Sequence, residues 1–560
     1  MVSSLVLFSV AVLVLAVGLR YIVRKVRLSL LESETALLAW PILGKERDAS
    51  NKIPGTAVIC GGSLAGLLAA RVCHDHFQRV IIVEPEAWLS TEDGITTESW
   101  TQKNKRARVV QYTSLHGNLA PVTDGLLRLF PKFEEECHRS GINLVPADFK
   151  SYLSGHRFLV PHNEFSGSLP RTAQAGRQGT ETLIRRLTLN KKEYPNISQI
   201  PGTVTGVRAD PANPKFLKAV TIETETGLRE LEAALVVDCT GPARAGQEWI
   251  RHAGFVEEPG ILDKLTVSYD PRIRYSSFKV HIPEDLAAKL PEYGDENATG
   301  GLFLYKSDPN VGQTYIGAMK VDGDFGMTTT LVVPVRIDNV VSLVEIVCGA
   351  WGSQELPNDI DGVRQFLRAN ESESSIPDWI WKFLDLCQET EDTMRHSKVR
   401  IPPSYWTHLE LAQNLPANWI ASGDSVCRVN PVFAQGTAKA MMGAVSLNNV
   451  LQELDDIKSK TIPEDFSQRF FRRQADKIKP LWARNKMADY SYKTTIPEEG
   501  ETLETGSLIR WYVHKLEELS DKDPQIGALF WRTLHSYGTS IDALHPVFIG
   551  KVFWSMIFGK

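Results

Sequence analysis

The sequence predicts an α/β protein: a Rossmann-like nucleotide-binding domain with an inserted β-sheet substrate domain and a helical C-terminal region, preceded by an N-terminal transmembrane helix. Three observations predict it. An apolar run, a glycine-rich loop, a helical pattern and a second apolar run ending on an acid follow one another from Thr56 to Glu84. A second apolar run meets the turn Gly423-Asp424, and a long helical pattern starts near Gly436. The chain opens on the almost wholly apolar stretch Leu5 to Leu19, closed by Arg20, Arg24, Lys25 and Arg27.

The N-terminal stretch has about the 20 residues that a spanning helix needs. Its positive charge lies after the apolar core, whereas a secretory signal usually carries it before. Residues 1–27 therefore read as a signal anchor; a cleaved signal or a helix packed on the body is the other reading. Positive charge on the inner side would keep the body of the chain in the cytosol, and the expected location is the endoplasmic reticulum membrane.

Residues 28–54 read as a polar connector with some helix. Thr56 to Cys60 is short and continuously apolar, as in a parallel strand buried on both faces. Leu64 to His76 reads as a helix and Arg79 to Glu84 as the next strand. Arg106 to Gln111 has strand character. Leu119 to Ser140 reads as helix with breaks at Pro121 and Pro131. Gln178 to Leu189 is helical, Thr203 to Val207 and Ala219 to Thr224 pair as strands, and Ala234 to Val237 is another buried run ending on Asp238. Between Ala243 and Leu415 the pattern is less regular. Strand-like pieces (Gly301 to Tyr305, Thr314 to Val321, Thr328 to Val335) mix there with helical ones (Val363 to Ala369, Trp379 to Cys387). Trp419 to Ser422 is the last buried strand, and the chain from Gly436 on is mostly helical. These readings give a nucleotide-binding domain over 28–242 and 416–455, a substrate domain over 243–415 and a helical region over 456–560. Val547 to Phe558 is apolar and aromatic but too short to span; an interfacial helix and a last core helix are equally good readings.

Composition narrows the function. The net charge of -5 and scattered basic residues give no nucleic-acid surface. The seven cysteines are odd in number and lack metal spacing, so they read as reduced thiols with no metal site.

The chemistry lies in the loops. A dinucleotide needs a tight turn after a strand, no side chain where the pyrophosphate approaches, and a helix N-terminus aimed at the phosphates. Gly61 and Gly66 hold the first and third glycine positions of that fingerprint; Ser63 stands at the second, where its hydroxyl can donate to a phosphate oxygen. Glu84, at the end of the second strand, is placed to accept from ribose hydroxyls.

With Gly423-Asp424-Ser425, Asn430-Pro431 and Gln435-Gly436-Thr437-Ala438 added in that order, the chain resembles the FAD-dependent monooxygenases of the aromatic-hydroxylase type, and their relatives the prenyl reductases and flavin halogenases. The resemblance covers Thr56 to Leu454. It implies bound FAD, with Asp424 accepting from the ribityl hydroxyls, Pro431 near the ring, and Gly436, Thr437 and Ala438 at the helix start facing its pyrimidine end. Arg177 looks like the family arginine that contacts the cofactor. Arg106 and Arg108 lie where relatives place a polar flavin-side segment. Two departures stand out. The segment comparable to the aromatic hydroxylases' second Asp-Gly motif reads Asp238-Cys239-Thr240-Gly241, closer to the reductase and halogenase branches. Trp379-Ile380-Trp381 lacks the Ile-Pro of the halogenase motif and reads as helix packing.

The resemblance implies an FAD-dependent monooxygenase using NAD(P)H and molecular oxygen to hydroxylate or epoxidise a lipophilic small molecule, of the kind made in specialised metabolism. Two rival readings are a flavin-dependent reductase of prenyl-type substrates and a membrane-tethered flavoprotein without catalysis. No side chain is assigned as a catalytic acid or base.

Overall fold

The computed structural model describes residues 2–109, 111–112, 116–148, 152–153, 156–157, 159–256, 260–283, 301–306, 314–319, 334–335, 341–353, 355–369 and 378–558. The first element is a long helix, α1 (Val2–Glu34). Among the described residues no helix is long and apolar enough to cross a membrane, so the spanning helix expected over residues 1–27 is not found there. The helix does not stop at its basic cluster. From Val14 on it carries Arg20, Arg24, Lys25 and Arg27, continues to Glu34, and pairs Arg27 with Asp542 at 2.8 Å.

The body is organised by a five-stranded parallel sheet. Its strands are β1 (Ile53–Cys60), β2 (Phe77–Glu84), β3 (Ile197–Pro201), β4 (Leu235–Asp238) and a late strand, Trp419–Ala421, which pairs with β4 at the edge. Across the sheet the order is Trp419–Ala421, β4, β1, β2, β3. Ala57, Val58 and Ile59 of β1 are wholly buried, which is why its apolar run is unbroken. The chain leaves β1 toward β2 on one side, while β4 lies on the other. Such a switch point opens a crevice at the C-terminal ends of the strands. Cys60 aligns with Val83 and Asp238, so the Gly61 loop, Glu84 and Asp238 share that edge. The helix α2 (Leu64–His76) covers the sheet and packs against the long helix Gln435–Asp456.

Between residues 243 and 415 lies a mainly antiparallel sheet. Its central pair, Ile273–Pro283 and Val341–Trp351, runs in register from Ile273↔Trp351 to Pro283↔Val341, with Arg395–Arg400 on one flank and the pair Gly301–Lys306 and Thr314–Met319 on the other. The parts of the expected strand pieces that fall on residues 320–321 and 328–333 lie outside the described residues. Helices Ile360–Ala369 and Asp378–Glu389 back this sheet; Ile380, Leu384 and Cys387 are buried there and Trp381 packs against them, while the Trp379 side chain lies outside what is described.

Several local expectations shift. The described residues of Arg106 to Gln111 form a turn, not a strand, because Arg106 is drawn into carboxylate contacts described below. Residues 119–140 form two helices, Ala120–Leu129 and Phe133–Arg139. Pro131 separates them, whereas Pro121 sits in a first turn, where proline breaks nothing. The helix expected from Gln178 starts at Arg177. All seven cysteines are buried and free.

Candidate functional site

The glycine loop is shaped by backbone contact. Gly61 has φ +115°, and a Cβ there would run into the carbonyl oxygen of Cys239. A Cβ at Gly66 would strike the carbonyl oxygen of Gly61 itself. Helix α2 therefore presses against the loop, with its N-terminus at Ser63. Gly66→Ala is expected to cost about 1–3 kcal/mol through that overlap, read as a lower urea midpoint. Gly436→Ala is the control, because a Cβ there meets nothing within 4 Å. Equal midpoints would refute the packing argument.

Beneath the loop sits a buried charge cluster that the sequence reading missed. The helix α3 (Arg177–Thr188) carries Arg177, Glu181 and Arg185 one turn apart, on one face. Glu181 is wholly buried and accepts from Ser63 Oγ at 3.0 Å, Arg177 Nη2 at 3.0 Å and Arg185 Nη2 at 3.1 Å, and also from Arg106 Nη1. Burial works to raise the Glu181 pKa, but the guanidiniums of Arg106, Arg177 and Arg185 outweigh it and hold the group well below the usual carboxylate range. Arg177 Nη2 also donates to Ser63 Oγ at 2.7 Å, and Arg185 donates to the carbonyl of Gly62. The loop thus rests on α3.

Glu84 Oε2 accepts from the Gly62 N–H at 2.7 Å, and Arg106 Nη2 donates to both Glu84 oxygens at 3.2 Å. Arg106 is therefore buried among Glu84, Glu86 and Glu181, beside the Gly61 loop, and lines the cavity described below.

The second half comes from the end of the sheet. Asp424 Oδ1 accepts from Lys439 Nζ at 2.6 Å; the lysine is buried and also donates to the carbonyl of Cys427, while the Asp424 side chain stays 41% exposed on the cavity wall. Asn430 Oδ1 accepts from the Val432 N–H at 3.1 Å and holds the turn Pro431–Phe433. Ala434, at φ +54°, then turns the chain into the helix α4 (Gln435–Asp456). Gly436 is exposed in its first turn, Thr437 and Ala438 are buried, and the Thr437 hydroxyl meets Nε2 of His116. Burial pushes His116 down to about 3, so the ring is neutral at pH 7.

Two aspartates are structural. Asp238 accepts from Thr240 N and Oγ1 at 2.9 and 2.7 Å, Ser425 Oγ at 3.1 Å and Gly246 N at 3.1 Å. It is wholly buried and spends its lone pairs inward. Asp489, at the end of the helix α5 (Phe466–Asp489), accepts from Tyr269 Oη at 2.9 Å, Trp351 Nε1 at 2.9 Å and Asn430 Nδ2 at 2.8 Å. Burial pushes it up to about 7 against those donors. It ties the Pro431 turn to the antiparallel sheet.

One cavity of about 1120 Å³ joins these parts. Its wall carries Gly61, Ser63, Glu84, Arg177, Asp424, Pro431, Gly436 and Thr437 of the expected site residues, while Gly66 and Ala438 stand behind it as packing. Arg108 also reaches the wall. Tyr275, Val347 and Ile401 come from the antiparallel sheet region, and Leu516, Leu529 and Phe530 from the C-terminal helices. Drug-sized ligand sites are commonly about 300–1,000 Å³, so this space exceeds one small molecule. Elsewhere, Glu46, His74 and Asp75 bring ligand-type atoms within 4.8 Å of one another. Lys52 and Arg71 already pair with Glu46 and Asp75 at 2.6 Å each, so the group reads as an ion-pair network.

No protein-family model matches this chain. Protein Rv3254 of Mycobacterium tuberculosis is 23% identical over 512 residues, covering 88% of this chain and 90% of that protein. The flavoprotein/dehydrogenase of Cytophaga hutchinsonii superposes with a TM-score of 0.53 at 14% identity, over 90% of this chain and 100% of that one. The flavin-dependent brominase Bmp2 gives 0.51 at 13% identity, again over 90% and 100%. The chain therefore has the α/β fold of these flavoproteins, in agreement with the fold that the resemblance implied.

Proposed function

We propose that this chain binds FAD along the cavity and acts as an FAD-dependent monooxygenase, placing one oxygen atom into a lipophilic small molecule with NAD(P)H as reductant and molecular oxygen as the donor. One observation carries the reading: a single cavity runs from the Gly61 loop and Glu84 to Asp424, Pro431 and the first turn of α4. An elongated dinucleotide with an anionic centre suits that layout. The Gly61 loop admits close approach of a pyrophosphate, with Arg177 as a donor beside the N-terminus of α2. In this reading Glu84 accepts from the adenosine ribose and Asp424 from the ribityl chain; both line the cavity. Backbone N–H groups at Gly436, Thr437 and Ala438 set the positive end of α4 toward the ring, where reduced flavin carries negative charge.

When bound, FAD supplies the redox chemistry, accepting a hydride and delivering electrons to oxygen. The chain's own share is positioning and exclusion of water. Tyr275, Val347, Ile401 and Phe433 give the ring end of the cavity an apolar wall, which supports a lipophilic substrate. Lys439 holds Asp424 in place, and Asp489 holds the Pro431 turn through Asn430.

The purified full chain is expected to carry a flavin spectrum. Glu84→Ala and Asp424→Ala should each weaken FAD binding about 10–100-fold, from ~1.5–3 kcal/mol per hydrogen bond to a charged group. With a lipophilic substrate, nicotinamide oxidation should accompany a product heavier by one oxygen. Colourless protein would defeat the FAD reading; oxygen consumption stimulated by substrate without that mass gain would defeat the oxygenase reading.

A second reading, a flavin-dependent reductase of prenyl-type substrates, is favoured by one feature: Asp238 is turned inward, where aromatic hydroxylases use the comparable segment for both FAD and NADPH. Turnover without oxygen would select it.

A further inference from the structure

The C-terminal helix α8 (Pro546–Phe558) is apolar on both faces. (Helices α6, Ser507–Glu517, and α7, Pro524–Leu534, precede it.) Its inner face places Phe548 and Val552 in a core with Leu516, Ile526 and Leu529. Its outer face leaves Val547, Phe553, Trp554 and Ile557 in solvent, Trp554 at 66% and Ile557 at 69% exposure. Lys551 is the one charged residue of the described helix, and its ammonium reaches back to Asp523 at 2.5 Å and Gln525 at 2.8 Å. A continuous apolar face of this kind marks an interaction surface.

The charges beside it identify the partner. Arg20, Arg24 and Arg27 of α1 fall at i, i+4 and i+7, on one helix face. Arg27 pairs with Asp542 in the turn just before α8, and Ser540 donates from N and Oγ to Glu34 at 2.7 and 2.6 Å. The basic stripe is thereby fastened at the base of α8. Arg20, Arg24 and Lys25 are exposed, and no acid occurs between Val14 and Leu31. Aromatic and aliphatic side chains flanked by unpaired cations are the chemistry of an anionic bilayer surface. A second copy fits less well, because a two-fold contact through this patch would bring the same cations together.

We propose that α8 and the basic stripe of α1 form a lipid-contact surface, on which the protein lies against an anionic membrane. The position matters for the cavity. Leu516, Leu529, Phe530 and Ala543 line it, and the same cluster packs on the inner face of α8. The C-terminal end of the cavity therefore sits one side-chain layer from the lipid. The surface itself does not depend on the flavin reading.

The test is flotation of the full chain with vesicles of phosphatidylcholine containing roughly one-fifth phosphatidylserine, and with phosphatidylcholine alone. The wild type is expected to float with the anionic vesicles. The exposed triple variant Phe553→Ser, Trp554→Ser, Ile557→Ser should lose most of that binding with an unchanged melting curve. Arg20→Glu with Arg24→Glu should lose the preference for anionic vesicles, by about fivefold or more per residue. Wild type left at the bottom of the gradient would overturn the proposal. So would a triple variant that floats as well as wild type, or a wild-type dimer that the triple variant dissolves into monomers.

Discussion

Replacing Glu181 by alanine is expected to destabilise the protein by about 3–5 kcal/mol, the usual cost of stranding a buried charge by removing its partner. Arg185 is wholly buried and Arg106 nearly so; both point guanidinium N–H groups at the Glu181 carboxylate, as does Arg177. Without it, cations face one another in a space with little water. The loss is large against a typical total of about 5–15 kcal/mol. Glu181→Gln keeps the shape and one acceptor but no charge, and should fall between. Urea unfolding of FAD-stripped protein reads the effect free of any ligand contribution. Flavin content reads its second consequence, because Ser63 and the Gly62 carbonyl lose the contacts that hold them. An alanine variant with the wild-type midpoint would show that the arginines are solvated and the cluster is not structural.

Acidification from about pH 7.5 to about pH 5 is expected to remove about 4 kcal/mol of stability through two histidines, about 2 kcal/mol from each. His76 and His535 are wholly buried. His76 Nδ1 accepts from Arg47 Nε at 2.9 Å, and His535 Nδ1 accepts from the Ala120 N–H at 3.1 Å. Protonating either Nδ1 destroys that bond and buries a charge; for His76 the charge would lie against Arg47. Burial accordingly pushes both down to about 3. The unfolded chain takes up these protons near pH 6.5 and the folded chain does not. Their stabilisation is thus complete above pH 6.5 and declines as pH falls toward the folded values. His535→Asn and His76→Asn keep an acceptor near the Nδ1 position without a titrating proton, so each should remove about 2 kcal/mol of the stability difference between about pH 7.5 and about pH 5. A double variant with the wild-type slope would assign acid sensitivity to other groups.

The parts of the molecule readable from sequence were those whose partners lie close in the chain. Strand β1, the Gly61 loop, helix α2 and Glu84 fall within some thirty residues, and each constrains the next. The turn at Asp424 and the start of α4 were readable for the same reason. Glu181 was only half visible. Its spacing with Arg177 and Arg185 on one helix is plain in hindsight, but Arg106 comes from an aperiodic loop that no pattern links to it. Asp489 was invisible, since Tyr269, Trp351 and Asn430 converge on it from three separate segments. Asp238, which in the sequence only ends a buried run, is a clamp, because its orientation is set by the donors at Thr240, Gly246 and Ser425. The N-terminal span rests on hydropathy, and among the described residues no helix is long and apolar enough to cross a membrane.

The order of strands in the parallel sheet has a consequence for biosynthesis. The central strand β1 is complete early, but its second neighbour β4 and the edge strand Trp419–Ala421 emerge far later, and Asp424 follows Gly61 by roughly 360 residues. At a translation rate of about 5–20 residues per second, the first half of the crevice waits about 20–70 s on the ribosome for the second. During that interval the unpaired edge of β1 is an open template for wrong partners. Cofactor loading then belongs to the end of synthesis or after it, and the nascent chain becomes a substrate for chaperones before it becomes a holoprotein.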